Sequence, residues 1–295
     1  PVFSRLRLRL MAVLVVLGLP ACTSSSLPSD RAVLADFYFG TELQEAPPHY
    51  ETEHFTASLV RYEHDGRTLY ALIARPRSTM PDNGFPVLVA MHGFVPEPPR
   101  YGISADGQTK RPGDYYRDIP DLFAARGFMV VMPDYRGHNI SDGVANQAPD
   151  IYDDIAAYAA DVTALVSGLN QLDAADMNRV AFWGHSMGGP VAYRAFRSSK
   201  VAVRAIALWS PMQIRDDVIS NPSFPTPVQL QHGRDDPVTP FANSDDFAKA
   251  LRGASIPVTA YPWDTDAHLF GADDREVAAD RDVEFFQQQF KEISP

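Results

Sequence analysis

Residues 179–189 read RVAFWGHSMGG. Val180-Ala181-Phe182-Trp183 is a short apolar run, the signature of a buried strand. Gly184-His185-Ser186-Met187-Gly188 follows, with a second glycine and a helix-like stretch behind it. The five residues fit G-x-S-x-G at a strand-to-helix handover. A serine hydroxyl is a weak nucleophile. It needs to be held clear of the backbone, beside a base and beside N–H donors, and a sharp strand–turn–helix bend does this. Glycines on either side let the two backbones pass closely.

Working outward, short apolar runs alternate with segments of helical period. Phe55–Tyr62 and Thr68–Arg75 flank an Asp-Gly at 65–66 and read as an antiparallel hairpin. Strands are then expected at Val87–Met91, Phe128–Met132, Val180–Trp183, Val203–Trp209, Val228–Gln231 and Val258–Tyr261. Helices are expected at Asp114–Arg126, Tyr152–Leu169, Gly189–Arg197, Phe241–Leu251 and Arg275–Phe290. The fold class is α/β: a mostly parallel sheet with an N-terminal antiparallel hairpin and helices on both faces. No insertion between Trp209 and Val228 is long enough for a large cap domain. Phe94–Gly113 is a long stretch without a pattern, and a loop of that length in a compact domain is usually functional.

The 295 residues are 45% hydrophobic and 21% charged, a globular balance. The N-terminus differs. Arg5, Arg7 and Arg9 precede the apolar Leu10–Leu19, and Ala21-Cys22-Thr23-Ser24 follows. Basic, then apolar, then small residues is the layout of a secretory signal. Its ending resembles a bacterial lipobox, which implies lipidation at Cys22 and anchorage in the cell envelope, facing the periplasm or in the outer membrane. The expected organisation is a signal peptide over 1–21, a Ser/Pro/Glu-rich tether over 22–52 with a short helix near Arg31–Phe39, and a catalytic domain over 53–295. Cys22 is the only cysteine, so no intramolecular disulfide can form and no thiol is available for catalysis. The formal net charge is −11, and the leader holds three arginines and no acids. Such a surface argues against nucleic acid or bare anionic lipid as a partner. The membrane is reached through the acyl chains at Cys22.

A nucleophilic serine needs a base, an orienting carboxylate and an oxyanion hole, all from loops at the carboxyl ends of strands. His268 follows the last strand and precedes the last helix, which is the slot for the base. After the penultimate strand the chain reads HGRDDPVTP at 232–240. Asp235 and Asp236 compete there. Asp236, three past Gly233 and followed by Pro-Val-x-Pro, is the preferred orienter, and Asp235 is read as a solvated or turn-capping residue. The order Ser186, Asp236, His268 is the one expected of this topology. The oxyanion donors are expected at Met187 N–H, next after the nucleophile, and at Phe94 N–H, from the loop after Val87–Met91. His92 and His185 are read as loop-shaping residues. His138 and His232 are read as strand-end residues satisfied by backbone partners.

HGF at 92–94, PDYRGH at 133–138, GHSMGG at 184–189, HGRDDPVTP at 232–240 and DAH at 266–268 together resemble an α/β-hydrolase. Within that fold the chain is similar to single-domain, prolyl-oligopeptidase-type hydrolases of the dipeptidyl aminopeptidase and acylaminoacyl-peptidase kind. The stretch YYRDIPDLFAARGFMVVMPDYRGHNISDG carries this likeness most clearly, within a resemblance spanning about 55–292. It makes Asp134, Arg136 and Gly137 a scaffold turn. Asn139, where a glycine is common, is expected to keep a positive φ. The resemblance implies a serine hydrolase. No nucleotide motif or metal-ligand spacing points to a cofactor or metal.

Paired glutamates placed to grip a peptide amino terminus are not evident, and GHSMGG is more typical of esterases. The expected activity is therefore that of a carboxylesterase acting on small esters. The alternatives are a serine peptidase acting on short peptides and a non-catalytic envelope lipoprotein with a hydrolase fold. Substrate pockets are expected from Phe94–Tyr116 and Pro211–Phe224.

Overall fold

A computed structural model describes residues 41–48, 50–100, 116–215 and 225–291. The expected signal peptide, Cys22, the helix near Arg31–Phe39, most of the loop after Phe94 and most of the expected pocket segment 211–224 lie outside the described residues. Among those described, no helix is long and apolar enough to cross a membrane.

The hairpin forms as its turn residues dictate. Strands β3 (Phe55–His64) and β4 (Arg67–Pro76) pair antiparallel with His64 opposite Arg67. Asp65 and Gly66 sit at φ 52° and 67°, the left-handed pair that lets a two-residue turn follow the twist of the strands. Two short strands, β1 (Gln44–Glu45) and β2 (Tyr50–Glu51), add to β3. The last residues of the stretch read as a tether therefore lie on the sheet edge.

Beyond the hairpin, β4 pairs antiparallel with β6 (Met129–Asp134). The sheet then continues in parallel through β5 (Phe85–Met91), β7 (Ala175–His185), β8 (Val203–Trp209), β9 (Val228–Gly233) and β10 (Val258–Trp263). Helices α1 (Asp118–Ala124) and α5 (Ala272–Lys291) cover one face, and α2 (Ile151–Gly168), α3 (Gly188–Ser198) and α4 (Ala242–Gly253) cover the other. The alternation in β5 shows why its apolar run is continuous. Val87, Val89 and Met91 pack with α2 and α3, whereas Leu88 and Ala90 pack with α1 and α5. A strand buried on both faces has no position left for a polar residue. This is the α/β-hydrolase architecture, and the described residues contain no large cap.

Two elements differ from expectation. Strand β7 starts at Ala175 rather than Val180, because Asp176, Asn178 and Arg179 hide its first half. Asp176 accepts from Arg179 Nε at 2.6 Å, and Arg179 also donates to the Gly84 carbonyl at 2.9 Å, so the polar residues are satisfied within the sheet. Helix α1 is shorter than its pattern and runs only from Asp118 to Ala124.

One buried carboxyl ties α5 to the sheet. Asp282 has no exposed surface. Its Oδ2 accepts from Trp209 Nε1 at 2.7 Å, and its Oδ1 accepts from Gln229 Nε2 at 2.6 Å and Gln231 Nε2 at 2.8 Å. Burial pushes this carboxyl up to about 7, against the opposing pull of the three donors. Between the ordinary carboxylate range and pH 7 the folded chain holds a proton that the unfolded chain has released. The stability from this group is therefore full below about pH 4 and lost as pH rises through about 7. Asp282→Ala strands three buried donors and is expected to cost about 4 kcal/mol at pH 5. At pH 8 the penalty should be about 2 kcal/mol smaller. Urea unfolding at the two pH values checks this, and an equal or larger penalty at pH 8 contradicts it.

Candidate active site

Strand β7 ends at His185 and α3 begins at Gly188, leaving Ser186 and Met187 to turn the corner. Ser186 stands at φ 55°, a left-handed conformation that costs a non-glycine residue about 1–3 kcal/mol and must be held by its surroundings. Its N–H donates to the Trp209 carbonyl at 3.1 Å, and its carbonyl accepts from Gly189 N and Met212 N, both at 2.9 Å. A Cβ at Gly188 would run into the Met91 carbonyl. The start of α3 therefore touches the end of β5, and only glycine fits between them.

The loops after β9 and β10 supply the next two groups. His268 Nδ1 lies 2.8 Å from Asp236 Oδ2, and the carboxylate is fully buried. Asp236 Oδ1 accepts from Val238 N at 2.8 Å and Thr239 N at 3.0 Å, while Oδ2 also accepts from Thr239 Oγ1 at 3.0 Å. Burial works to raise this carboxyl, but His268 and the two backbone N–H groups outweigh it and hold it below the ordinary range. Asp235 is exposed. Of the two aspartates it is Asp236 that faces His268, and the backbone of 236–239 folds back onto its carboxylate.

The loop after β5 lies directly on the serine. A Cβ built at Gly93 would sit 2.9 Å from Ser186 Cβ and 2.6 Å from Tyr116 Oη. Phe94 follows, its side chain 48% exposed. Met187 caps α3, so its N–H stands at the helix N-terminus, where aligned peptide dipoles favour developing negative charge. The loop bearing Phe94 thus lies against Ser186 through Gly93, and Met187 follows the serine at the start of α3.

His185 joins the serine turn to the loop that carries His268. Its Nε2 lies 2.9 Å from the His268 carbonyl, and the two rings stand 4.6 Å apart. The histidines read from sequence as structural sort as follows. His92 Nδ1 donates to the Gly93 carbonyl at 2.8 Å, and His138 Nδ1 lies 3.3 Å from the Arg136 carbonyl. His232 Nε2 faces the Thr239 carbonyl at 2.9 Å, but its Nδ1 pairs with Ser244 Oγ at 2.7 Å, a side-chain partner that was not expected. His232 Nε2 also lies 3.3 Å from Asp236 Oδ2, so this ring supports the carboxylate from behind.

The scaffold turn after β6 is clamped by Asp161 of α2, which accepts from Arg136 Nε at 2.8 Å and from its terminal nitrogen at 2.6 Å. Asn139 keeps the positive φ expected of it, at 49°, and donates to Asp134 Oδ2 at 2.7 Å. Sequence reasoning did not single out Thr239, and it read Tyr116 only as the end of a pocket-lining segment, not as a partner of Gly93 and His185. Neither carries a motif, and their roles depend on partners brought in by the fold. Among the described residues no group of His, Cys, Asp and Glu side chains is arranged to hold a metal ion.

Residues 109–293 match the dienelactone hydrolase family, well over half of the chain. No curated protein matches the sequence. Among solved structures, acetyl xylan esterase 1 from Thermoanaerobacterium superposes with a TM-score of 0.61 at 15% identity, covering 86% of this chain and 92% of that one. Est1E from Butyrivibrio proteoclasticus, solved with ferulic acid bound, gives 0.60 at 17%, covering 78% and 99%. Dipeptidyl peptidase 4 from Porphyromonas gingivalis gives 0.62 at 18%, with 80% of this chain covering only 36% of that one. At such identities the likeness is one of fold.

Proposed function

Because the chain belongs to the dienelactone hydrolase family and is a hydrolase, we propose that it cleaves carboxylic esters through an acyl-enzyme on Ser186. The observation that carries this reading is the 2.8 Å pairing of His268 with the buried Asp236, beside a serine held at positive φ. Ser186 Oγ attacks the ester carbonyl carbon while His268 Nε2 takes the hydroxyl proton. The carbonyl oxygen becomes an oxyanion, held by the Phe94 and Met187 N–H groups. Collapse breaks the bond to the alcohol, which leaves with the proton from His268. Water, deprotonated by the same nitrogen, then releases the acid. Asp236 keeps the proton of neutral His268 on Nδ1 and stabilises the imidazolium.

Esters are favoured over peptides because the family takes its name from a lactone, a cyclic ester. One of the structural neighbours above, moreover, is a compact acetyl xylan esterase that this fold nearly spans. The peptidase neighbour is a longer chain, of which this fold covers about a third. A fluorophosphonate probe is expected to label Ser186, with short p-nitrophenyl esters turned over at least a hundredfold faster than aminoacyl-naphthylamides. Comparable amide turnover favours the peptidase, and failure to label favours a non-catalytic binding protein.

A further inference from the structure

Tyr116 and His185 form a buried bridge between two loops of the site, and every hydrogen bond in it has one possible direction. The His268 carbonyl can only accept, so His185 Nε2 carries the proton and donates across 2.9 Å. His185 Nδ1 is then an acceptor, and the Tyr116 hydroxyl donates to it across 2.5 Å. The Tyr116 oxygen in turn accepts from Gly93 N at 2.7 Å. The chain of bonds runs from the loop that presents Phe94, through Tyr116 and His185, to the backbone of His268. At one end Gly93 lies against Ser186, the residue next to His185.

We propose that Tyr116 and His185 are positioning residues that brace the oxyanion loop against the base loop and so fix both around Ser186. This rests on the serine-hydrolase reading above. Tyr116 and His185 are each 2% exposed, so water cannot take over the bonds if one is lost. In a buried network each donor–acceptor pair polarises the next. Rings pack the bridge in place: Tyr116 meets His185 edge-on at 5.5 Å, and Trp183 stacks on His185 at 6.4 Å. Burial and the neighbouring His268 push the His185 imidazole down to about 3. It therefore stays neutral across the working range, and the bridge keeps its direction when His268 gains a proton during turnover.

A brace of this kind acts on the transition state more than on substrate binding. The oxyanion forms only as the carbonyl is attacked, and small displacements of its donors are felt at that point. Tyr116→Phe is expected to lower kcat about 10- to 100-fold per phosphonate-titrated site, with KM within about threefold of wild type. His185→Gln retains an N–H able to reach the His268 carbonyl, and His185→Asn retains an acceptor for Tyr116. Both should lose kcat, and both should keep more of it than His185→Leu. If Tyr116→Phe fails to fold, the Gln, Asn and Leu series at 185 decides. Wild-type kcat per titrated site in the folded variants, with only a lowered Tm, overturns the brace and leaves the serine mechanism standing. Absence of label on wild-type Ser186 overturns both.

Discussion

Ser186→Ala is expected to lower ester turnover by about five orders of magnitude with little change in fold, because nothing else in the site can form the acyl-enzyme. The backbone that creates the bend is independent of the hydroxyl. Ser186 N–H still reaches the Trp209 carbonyl, and its own carbonyl still accepts from Gly189 and Met212. Far-UV circular dichroism and Tm should therefore match wild type while burst-phase acylation disappears. A companion variant reads out the strain. At φ 55° alanine keeps the Cβ that makes the left-handed region costly, whereas glycine does not. Ser186→Gly should thus be about 1 kcal/mol more stable than Ser186→Ala. Residual turnover within tenfold of wild type in the alanine variant would place the nucleophile elsewhere.

The second large effect concerns Asp236. Its Oδ1 accepts two backbone N–H groups, from Val238 and Thr239. In Asp236→Asn the amide oxygen must take that position, since an NH2 group there would face two donors. The NH2 is then forced into the place of Oδ2, 2.8 Å from His268 Nδ1. His268 would have to accept at Nδ1 and carry its proton on Nε2, where it cannot take the proton of Ser186. A fall in kcat of about 10⁴-fold is expected, with KM little changed. Asp235→Asn, at an exposed neighbour, should remain within about twofold of wild type. Equal losses in the two variants would show that the orienter had been misassigned.

Much of this site is legible in the chain because the topology is regular. Parallel strands carry their functional loops at their carboxyl ends, so Ser186, Asp236 and His268 can be placed by counting strands, and the Gly-rich corner at 184–188 announces the sharp bend. Tyr116 shows where that reasoning ends. It lies 23 residues from Gly93 and 69 from His185, and no local pattern says that the three meet. Thr239 reads as a turn residue between prolines until the loop folds its hydroxyl onto Asp236. The first half of β7 was hidden for a related reason. Its polar residues look solvated in sequence, yet they are satisfied by one another and by a neighbouring backbone carbonyl.

Local chemistry alone determines the order of strands and helices, the two-residue turn at Asp65–Gly66 and the strand–serine–helix corner. Apolar period and the φ preferences of Gly, Asn and Asp act over a few residues and can be read there. Tertiary structure alone decides which nitrogen of His185 carries the proton, and that Asp282 is buried among three donors. Those outcomes depend on desolvation and on the direction of hydrogen bonds between groups far apart in the chain. Both come into being only when the sheet and its two helical layers close around them.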